Sequence, residues 1–323
     1  MQQIVFLKVH KTGSSTMANI LQRYGHSHDL NFALPRKARG AIRYNYFGDV
    51  GGTLEAAGVR GSRADRKQYN ILYNHVIFNY TAFQLLFPRN SPKTTYLTLI
   101  RRPETQFQSA LLFFLHDEIF TAATANLTGY LKNPRLYEPN NTYLSFTDNR
   151  QALDLGVPPN RVRNFRYVRT YIKLLDRAFD LVMITEMFDE SLIIMKRMLN
   201  MTTKDILYIQ KNKAYQKFSF QFTKTDHVLL ERWLLADSMI YTHFRQKILR
   251  HLEGDPSIEQ EADWFKTVLH KTQAFCSGND SRSHMNVNGG PWSQAFSVTS
   301  LDCVYMKLGE LDFLDKLVHG SRH

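Results

Sequence analysis

Two stretches of the chain show the same order of hydrophobic and polar positions: a short apolar run, a polar turn and an amphipathic segment. In the first, Ile4–Leu7 is β-branched and aromatic, which predicts a buried strand, and helical periodicity begins at Met17. In the second, the run Thr94–Ile100 predicts a strand, and Pro103 suits the first turn of the helix that follows. Strands that alternate with helices indicate an α/β fold with an open sheet.

Three further segments have a clear pattern. Tyr69–Tyr73 is predicted as a strand. The apolar spacing of Phe188–Leu199 predicts a helix that faces the core, with Asp189 to Ser191 capping its start, and Thr225–Leu252 has the same helical periodicity.

The polar turn of the first stretch reads Lys-Thr-Gly-Ser-Ser-Thr and spans Lys11–Thr16. Gly13 permits unusual backbone angles, and the hydroxyl residues Ser14 to Thr16 supply donors where the free amides of a helix start face outward. With the mobile cation of Lys11 beside them, these groups predict a cradle for a phosphate or a sulfate. The alternative is a capped helix beside a solvated lysine.

The common nucleotide-binding fingerprints do not match this turn. A Walker loop places its lysine after two glycines, and a dinucleotide-binding turn carries three glycines, whereas here the lysine comes first and one glycine follows. No cluster of carboxylates stands nearby in the sequence to hold magnesium, which disfavours a nucleotide kinase.

A second anion site is predicted at the end of the second strand. Arg101 stands at the carboxyl end of that strand, and Ser109 lies about two helical turns further on. Ligands of open α/β sheets bind outside the carboxyl ends of strands, where the Lys11 turn is also expected. Two anion sites at one edge indicate a ligand with two separated phosphates. Alternatively, Arg101 pairs with an acidic surface group and Ser109 faces solvent.

Length and charge limit the class of protein. With 323 residues, 43% of them hydrophobic, and no linker or internal repeat, the sequence predicts one domain over residues 1–323, including a Cys-containing C-terminal segment at about 270–323. The net charge of +12 predicts attraction to polyanions, acidic membranes or a multiply phosphorylated cofactor. Apart from one concentration between Arg36 and Lys67 the basic residues are scattered, and no nucleic-acid-binding motif accompanies them, so we expect no nucleic-acid partner.

The sequons and cysteines favour the secretory pathway. Asn-x-Ser/Thr sequons, which are candidate glycosylation sites, occur at Asn79, Asn126, Asn140, Asn200 and Asn279. The two cysteines, Cys276 and Cys303, are expected to form one disulfide, with two unpaired thiols as the alternative. Neither they nor the scattered histidines form a metal-ligand pattern.

The N-terminal sequence resembles neither a signal peptide nor a membrane anchor, and no run reaches the ~18 apolar residues of a spanning helix. For a secretory-pathway protein this suggests a trimmed chain or a fragment.

The turn and the Arg101–Ser109 pair together resemble the cofactor signature of sulfotransferases that use 3′-phosphoadenosine 5′-phosphosulfate. Within that group, the run FLKVHKTGSSTMANILQRYG resembles the galactose 3-O-sulfotransferases, which act on glycolipids and glycoproteins in the Golgi. Further matching stretches follow in order, as far as about Leu252: YNHVIFNY, YLTLIRRP, NRQALDLG, FDLVMITEMFDESLIIMKRML and LADSMIYTHF. Arg102, where an acidic residue is expected, and the basic segment Leu34–Gly52 depart from the family pattern.

The resemblance implies a P-loop-like sulfotransferase fold, with a central parallel sheet flanked by helices. It implies transfer of a sulfuryl group to the 3-hydroxyl of a terminal β-galactose, without a metal. It also implies residence in the Golgi lumen as a type II membrane protein, whose anchor is missing from this chain.

The resemblance also assigns roles to residues of this sequence. Thr12, Gly13, Ser14, Ser15 and Thr16 would hold the 5′ end of the donor. Arg101 and Ser109 would hold its 3′-phosphate, and Lys11 would stabilise the charge that grows on the leaving phosphate.

Two histidines are candidates for the group that takes the proton of the sugar hydroxyl. His75 is the preferred general base, since its segment resembles that of the catalytic histidine in uronyl 2-O-sulfotransferases and neutral imidazole is an effective base. His10, directly before Lys11, would orient the acceptor or share the proton, or serve only as a structural group. Candidates for stacking on the sugar are Tyr44, Tyr46, Phe47 and Phe78.

Two other functions stay open on sequence grounds. The basic segment from Arg36 to Lys67 suits a glycosaminoglycan, so a uronyl sulfotransferase is one alternative. The other is a polyanion-binding protein that keeps the fold without turnover.

Overall fold

The computed structural model describes residues 2–36, 46–47, 51–63, 68–89, 93–114, 117–209, 220–279 and 283–319. The candidate stacking residue Tyr44 lies outside these ranges. The strands are β1 Gln3–Leu7, β2 Ala33–Pro35, β3 Val59–Gly61, β4 Ile71–Leu72, β5 Thr94–Ile100, β6 Leu181–Ile184, β7 His284–Val287 and β8 Phe296–Thr299.

The helices lie mainly after the strands of the central sheet and towards the C-terminus. They are α1 Ser14–Ser27, α2 Tyr80–Leu86, α3 Pro103–Phe114, α4 Asp117–Ala125, α5 Leu127–Lys132, α6 Arg150–Asp154, α7 Phe165–Ala178, α8 Phe188–Leu199, α9 Thr203–Ile206, α10 Lys224–Trp233, α11 Leu235–Gly254, α12 Ser257–Ala274, α13 Ser300–Lys307 and α14 Glu310–His319.

Within the described residues, four parallel strands form a central sheet in the order β4-β1-β5-β6. Ile4 of β1 pairs with Ile71 on one side and with Thr95 on the other. The chain returns to the opposite side of β1 when it enters β5, so the strand order reverses there. The loops after β1 and β5 therefore leave the sheet next to each other, and open α/β sheets bind their ligands at this point.

The sequence-predicted elements agree with the observed ones in order and type, although β4 covers only Ile71–Leu72 of the predicted strand and α1 begins at Ser14 instead of Met17. Two further differences have physical reasons. The predicted helix Phe188–Leu199 has the predicted bounds, but the capping role given to Asp189 to Ser191 was wrong. The helix continues directly from a tight turn, its N-cap is Met187, and the Ser191 hydroxyl accepts the Ile184 N–H at 3.1 Å.

The predicted periodic segment Thr225–Leu252 divides into α10 and α11 at Leu234, whose backbone is not helical. The reason lies far away in the chain. Asn149 accepts the N–H groups of Ala236 and Asp237 with its side-chain oxygen, at 2.9 and 3.2 Å, and thereby starts a new helix.

The C-terminal segment packs against the same apolar cluster as the central sheet. Cys276 and Cys303 form a disulfide with a Cα–Cα distance of 5.3 Å. Met285, Val298 and Met306, which flank this bond, are buried together with the strands. The Cys-containing C-terminal segment is thus held both covalently and by burial.

The candidate glycosylation sites whose side chains are described, Asn79, Asn126, Asn140 and Asn200, are all exposed. Asn79 and Asn126 also cap the starts of α2 and α5. Among the described residues, no helix combines the length and apolarity that crossing a bilayer requires.

We expect Asn149→Ala to lower the free energy of unfolding by about 2–4 kcal/mol, because two buried N–H groups lose their acceptor. Asn141→Ala is the matched control: this side chain is exposed and caps only a short turn, so its loss should cost about 1 kcal/mol or less. Urea unfolding of both variants measures the difference, and equal losses would contradict the role of Asn149.

Candidate active site

The loop after β1 has the backbone shape of an anion cradle. Lys11 and Gly13 both have positive φ values, 62° and 86°. Gly13 is the N-cap of α1, and no side chain caps the first amides of this helix. The Thr16 N–H donates to the Gly13 carbonyl oxygen at 3.0 Å, and the positive end of α1 faces outward without a side-chain cap, where it can receive an anionic group.

Two of the predicted hydroxyl residues brace this loop. Thr12 Oγ1 and Ser14 Oγ both donate to the carbonyl oxygen of Val9, at 3.1 and 2.7 Å. Thr12 is fully buried, and its own carbonyl oxygen accepts the hydroxyl of Thr185 at 2.6 Å. Sequence reasoning missed Thr185, which ties the loop to the end of β6; it lies in the stretch FDLVMITEMFDESLIIMKRML, which matched the family but gave this residue no role.

One cleft of about 240 Å³ brings the two predicted anion sites together. Of the residues predicted for donor binding and catalysis, all of which the structure describes, only Thr12 does not line it. Tyr46 also lines the cleft, whereas Phe47 and Phe78 are 2% and 3% exposed and belong to the core. The stacking role given to Phe47 and Phe78 was therefore wrong, because their rings are used in packing.

The backbone of Arg101 is held on both sides by one side chain. Gln151 accepts the Arg101 N–H at 2.7 Å and donates to the Arg101 carbonyl oxygen at 2.8 Å. The guanidinium donates through Nε to Thr105 Oγ1 at 3.0 Å and reaches the Lys11 carbonyl oxygen at 3.4 Å. The guanidinium of Arg101 is thus fixed where β5 ends at the cleft. Ser109 also lines this cleft.

Lys11 carries the second cation of this edge. Its Nζ lies 3.5 Å from the centroid of the Phe113 ring, a cation–π contact. Burial and the nearby Arg101 charge lower the pKa of Lys11 to about 8. Lys11 therefore loses its proton more easily than a solvated lysine does. An anion placed between the Lys11 and Arg101 cations would stabilise the protonated form.

The opposite side of the cleft holds a stack of three rings. The rings of His10 and His75 are parallel within 14°, with centroids 3.9 Å apart, and Tyr46 stacks on His75 at 4.9 Å. A backbone bridge pairs Tyr46 with His75, and the Phe47 N–H donates to the His75 carbonyl oxygen at 3.0 Å. The stack is built from three separate parts of the chain.

The hydrogen bonds of the two histidines differ. His75 Nδ1 lies 2.9 Å from the Lys8 carbonyl oxygen, which requires the proton on Nδ1 and leaves Nε2 as a lone-pair acceptor. His10 uses both ring nitrogens: Nδ1 donates to Asp154 Oδ2 at 2.8 Å, and Nε2 accepts from the Tyr46 hydroxyl at 2.6 Å.

Both histidines are neutral at physiological pH. Burial is the main cause: it lowers the pKa of His10 to about 4 and holds the pKa of His75 well below its usual value, with help from the Lys8 charge. Burial raises the pKa of Asp154, but Arg150 and His10 outweigh it and bring the value to about 2. An ionised Asp154 therefore faces a neutral His10.

Sequence reasoning missed three groups of this site: Asp154, Arg150 and Gln151. They belong to the stretch NRQALDLG, so the match between that stretch and the family was the available signal. Arg102, by contrast, is exposed and does not line the cleft, and its N–H donates to Glu186 at 3.0 Å. The unusual residue at this position leaves the two anion sites intact.

Comparison with known proteins agrees with this geometry. A model of the family described as galactose-3-O-sulfotransferase matches residues 1–288. Galactose-3-O-sulfotransferase 2 of Mus musculus is 28% identical over 278 residues, which cover 84% of this chain and 69% of the relative. Galactosylceramide sulfotransferase of Homo sapiens is 31% identical over 281 residues, which cover 85% and 64%. Galactose-3-O-sulfotransferase 3 of Homo sapiens is 28% identical over 287 residues, with coverages of 86% and 64%.

We expect the binding of adenosine 3′,5′-bisphosphate to weaken as the pH rises through about 8. The bisphosphate binds the protonated form of Lys11, so above its pKa each complex must take up a proton, and Kd rises by up to about tenfold per pH unit. Calorimetric titrations between about pH 7 and about pH 9.5 measure this slope. In Lys11→Arg the charge persists and the slope should vanish; a slope retained in this variant would contradict the assignment.

Proposed function

Because the chain belongs to the galactose-3-O-sulfotransferase family, we propose that it transfers a sulfuryl group from 3′-phosphoadenosine 5′-phosphosulfate to the 3-hydroxyl of a terminal β-galactose. The acceptor is a glycan of a glycolipid or a glycoprotein. The observation that carries this proposal is the single cleft in which a double-cation anion cradle faces a stack of neutral histidines. One side suits the donor and the other the deprotonation of a hydroxyl.

The residues present fit the donor. The positive end of α1, with Ser15 and Thr16, suits the 5′-phosphosulfate end, and Arg101 with Ser109 suits the 3′-phosphate. When bound, the donor supplies an activated sulfuryl group whose leaving group is a phosphate. Gly13 is required at its position because its φ of 86° disfavours any side chain, and it keeps the cradle open.

Lys11 stabilises the leaving phosphate. Its ammonium lies at the mouth of the cradle, where negative charge develops as the sulfuryl group departs. Lys11 lies between the buried His10 and the start of α1, so the loop backbone fixes the direction in which its side chain leaves. The long side chain can leave the Phe113 ring and move towards the leaving phosphate.

His75 takes the proton of the sugar hydroxyl. Its Nδ1 proton is held by the Lys8 carbonyl oxygen, so the lone pair of Nε2 is available, and the lowered pKa keeps the ring neutral at working pH. His10 stacks on the ring of His75 and so helps to fix its orientation. Its own Nε2 is occupied by the Tyr46 hydroxyl, which would have to move before His10 could accept a proton.

One observation favours His10 as the alternative base. The bond from His10 Nδ1 to the ionised Asp154 is the arrangement that strengthens a general base in many hydrolases. Under this alternative an acceptor hydroxyl displaces Tyr46 from Nε2. Comparison of the two histidine variants separates these assignments.

We also propose the Golgi lumen as the compartment. The disulfide and the exposed sequons support an oxidising, glycosylating compartment. Turnover is proposed to need no metal, since a sulfuryl group carries less negative charge than a phosphoryl group and the cations of Lys11 and Arg101 supply the positive charge.

The proposal is tested with radiolabelled donor, a panel of β-galactosides with free, deoxy or O-methylated 3-positions, and desulfated heparan. Label should enter β-galactose only where the 3-hydroxyl is free. Label in heparan alone would instead support a uronyl sulfotransferase, and bound donor without transfer to any acceptor would support a polyanion-binding protein.

For the base, we expect His75→Ala to lower kcat by about 10²–10⁴-fold while the Kd for adenosine 3′,5′-bisphosphate stays within about twofold, since the ring acts on the acceptor proton. His251→Ala, an exposed histidine of α11, is the control and should have wild-type kcat. If His10→Ala shows the larger loss and His75→Ala keeps most of the activity, His10 is the base.

For the metal, we expect dialysis against EDTA to leave kcat within about twofold of its starting value, because the protein's own cations stabilise the leaving phosphate. Loss of activity that Mg²⁺ or Mn²⁺ restores would show that a metal takes part.

A further inference from the structure

The last helix of the described chain contributes a carboxylate to the cleft. Glu310, the first residue of α14, lines the cleft together with His75 and Tyr46, although the family match ends at residue 288. Its two oxygens lie 2.5 and 2.6 Å from Nζ of Lys8. Lys8 is 2% exposed and Glu310 is 12% exposed, so the pair closes the inner end of the cleft while the carboxylate keeps an open side.

The position of this carboxylate is fixed by α1. Gln22 donates to the Glu310 carbonyl oxygen at 3.0 Å, and Asn19 donates to the Tyr305 carbonyl oxygen at 2.9 Å. One turn beyond Glu310, Phe313 and Leu314 are fully buried. The backbone of Glu310 is therefore anchored to α1 and its carboxylate to Lys8, so binding a ligand there costs little ordering entropy.

The charges in the cleft indicate what Glu310 binds. The donor is strongly anionic, so a carboxylate in the same cleft opposes its binding, and Lys8, neutralised by Glu310, adds little attraction for it. Glu310 is bound by Lys8, the same residue whose carbonyl oxygen holds the Nδ1 proton of His75, so the carboxylate belongs to the part of the cleft that carries the histidines. Its charge also helps to raise the pKa of the Tyr46 hydroxyl, which burial raises most.

A carboxylate oxygen has more lone pairs than one ammonium group uses, and those directed into the cleft accept hydrogen bonds. Sugar hydroxyls are neutral donors and satisfy them without adding charge. A uronate or a sulfated sugar would place a second anion against Glu310. We infer that Glu310 binds a hydroxyl of the acceptor sugar, next to the hydroxyl that is sulfated, and makes the site select neutral over acidic acceptors.

This inference rests on the proposed transfer to a sugar and adds a specificity residue to it. The test is a cycle of substrate and enzyme changes. Wild type and Glu310→Gln are assayed with methyl β-galactoside and its 2-, 4- and 6-deoxy derivatives, and Asp312→Asn, an exposed carboxylate on the same helix, is the control. The Kd for adenosine 3′,5′-bisphosphate and the thermal midpoint are measured for every variant.

We expect the 2-deoxy or the 4-deoxy derivative to lose about tenfold or more in kcat/KM with the wild type and with Asp312→Asn, and about twofold or less with Glu310→Gln, whereas the penalty for the 6-deoxy derivative should not depend on the variant. The Kd for the bisphosphate should be unchanged or lower in Glu310→Gln. Activity with a glucuronate-terminated acceptor, relative to the galactoside, should rise in Glu310→Gln by about fivefold or more. A purely structural role would lower activity with all four galactosides equally.

Equal penalties for every deoxy derivative in wild type and Glu310→Gln would overturn the inference and leave the proposed function standing. If Glu310→Gln does not fold, the same cycle is run with Glu310→Asp, which keeps the charge but withdraws it by one methylene, and the same criterion applies. Wild-type transfer to uronate acceptors alone, or to no acceptor, would overturn the proposed function and this inference together.

Discussion

The geometry of the site depends on one buried carboxylate, that of Asp154. It is 1% exposed, and it accepts both the backbone N–H and the Nδ1 proton of His10, at 2.9 and 2.8 Å. On its other side, Arg150 Nε donates to it at 3.0 Å. A buried charge is tolerated only when it is paired and hydrogen-bonded, so these contacts leave His10 a single orientation. The His75 ring stacks on His10, and the Tyr46 ring stacks on His75.

The same short helix also fixes the donor side. Gln151 clamps the backbone of Arg101, three residues before Asp154 binds His10. A five-residue helix has no stability of its own, and α6 is held from outside: Asp237 accepts the N–H groups of Gln151 and Ala152, at 3.4 and 2.7 Å. The distance between the cation and the histidine stack is therefore set by one rigid element, and near-attack geometry requires such a fixed distance.

The sequence could predict those features that depend on residues close together in the chain, and not those that depend on contacts between distant residues. Strands, the anion turn and the positions of Lys11 and Arg101 depend on residues close together in the chain, so β1, β5 and the loops after them could be read directly. Glu310 reaches Lys8 across nearly the whole chain, and the break between α10 and α11 depends on Asn149. No periodicity records such contacts. The side-chain directions of Phe47 and Phe78 also depend on contacts between distant parts of the chain and could not be predicted. Both rings are buried in the core.

Burial lowers the pKa of the histidines and of Lys11 alike, but the consequences for the proposed reaction are opposite. For the histidines, a lowered pKa keeps the rings neutral well into the acidic range, and for His75 this leaves Nε2 able to accept a proton. For Lys11 the same burial is a cost, since its pKa of about 8 brings loss of the ammonium close to neutral pH. On the proposed function, the negative charge of a bound donor would raise the pKa of Lys11 and so offset only the second effect. Both histidines would already be neutral before the acceptor binds.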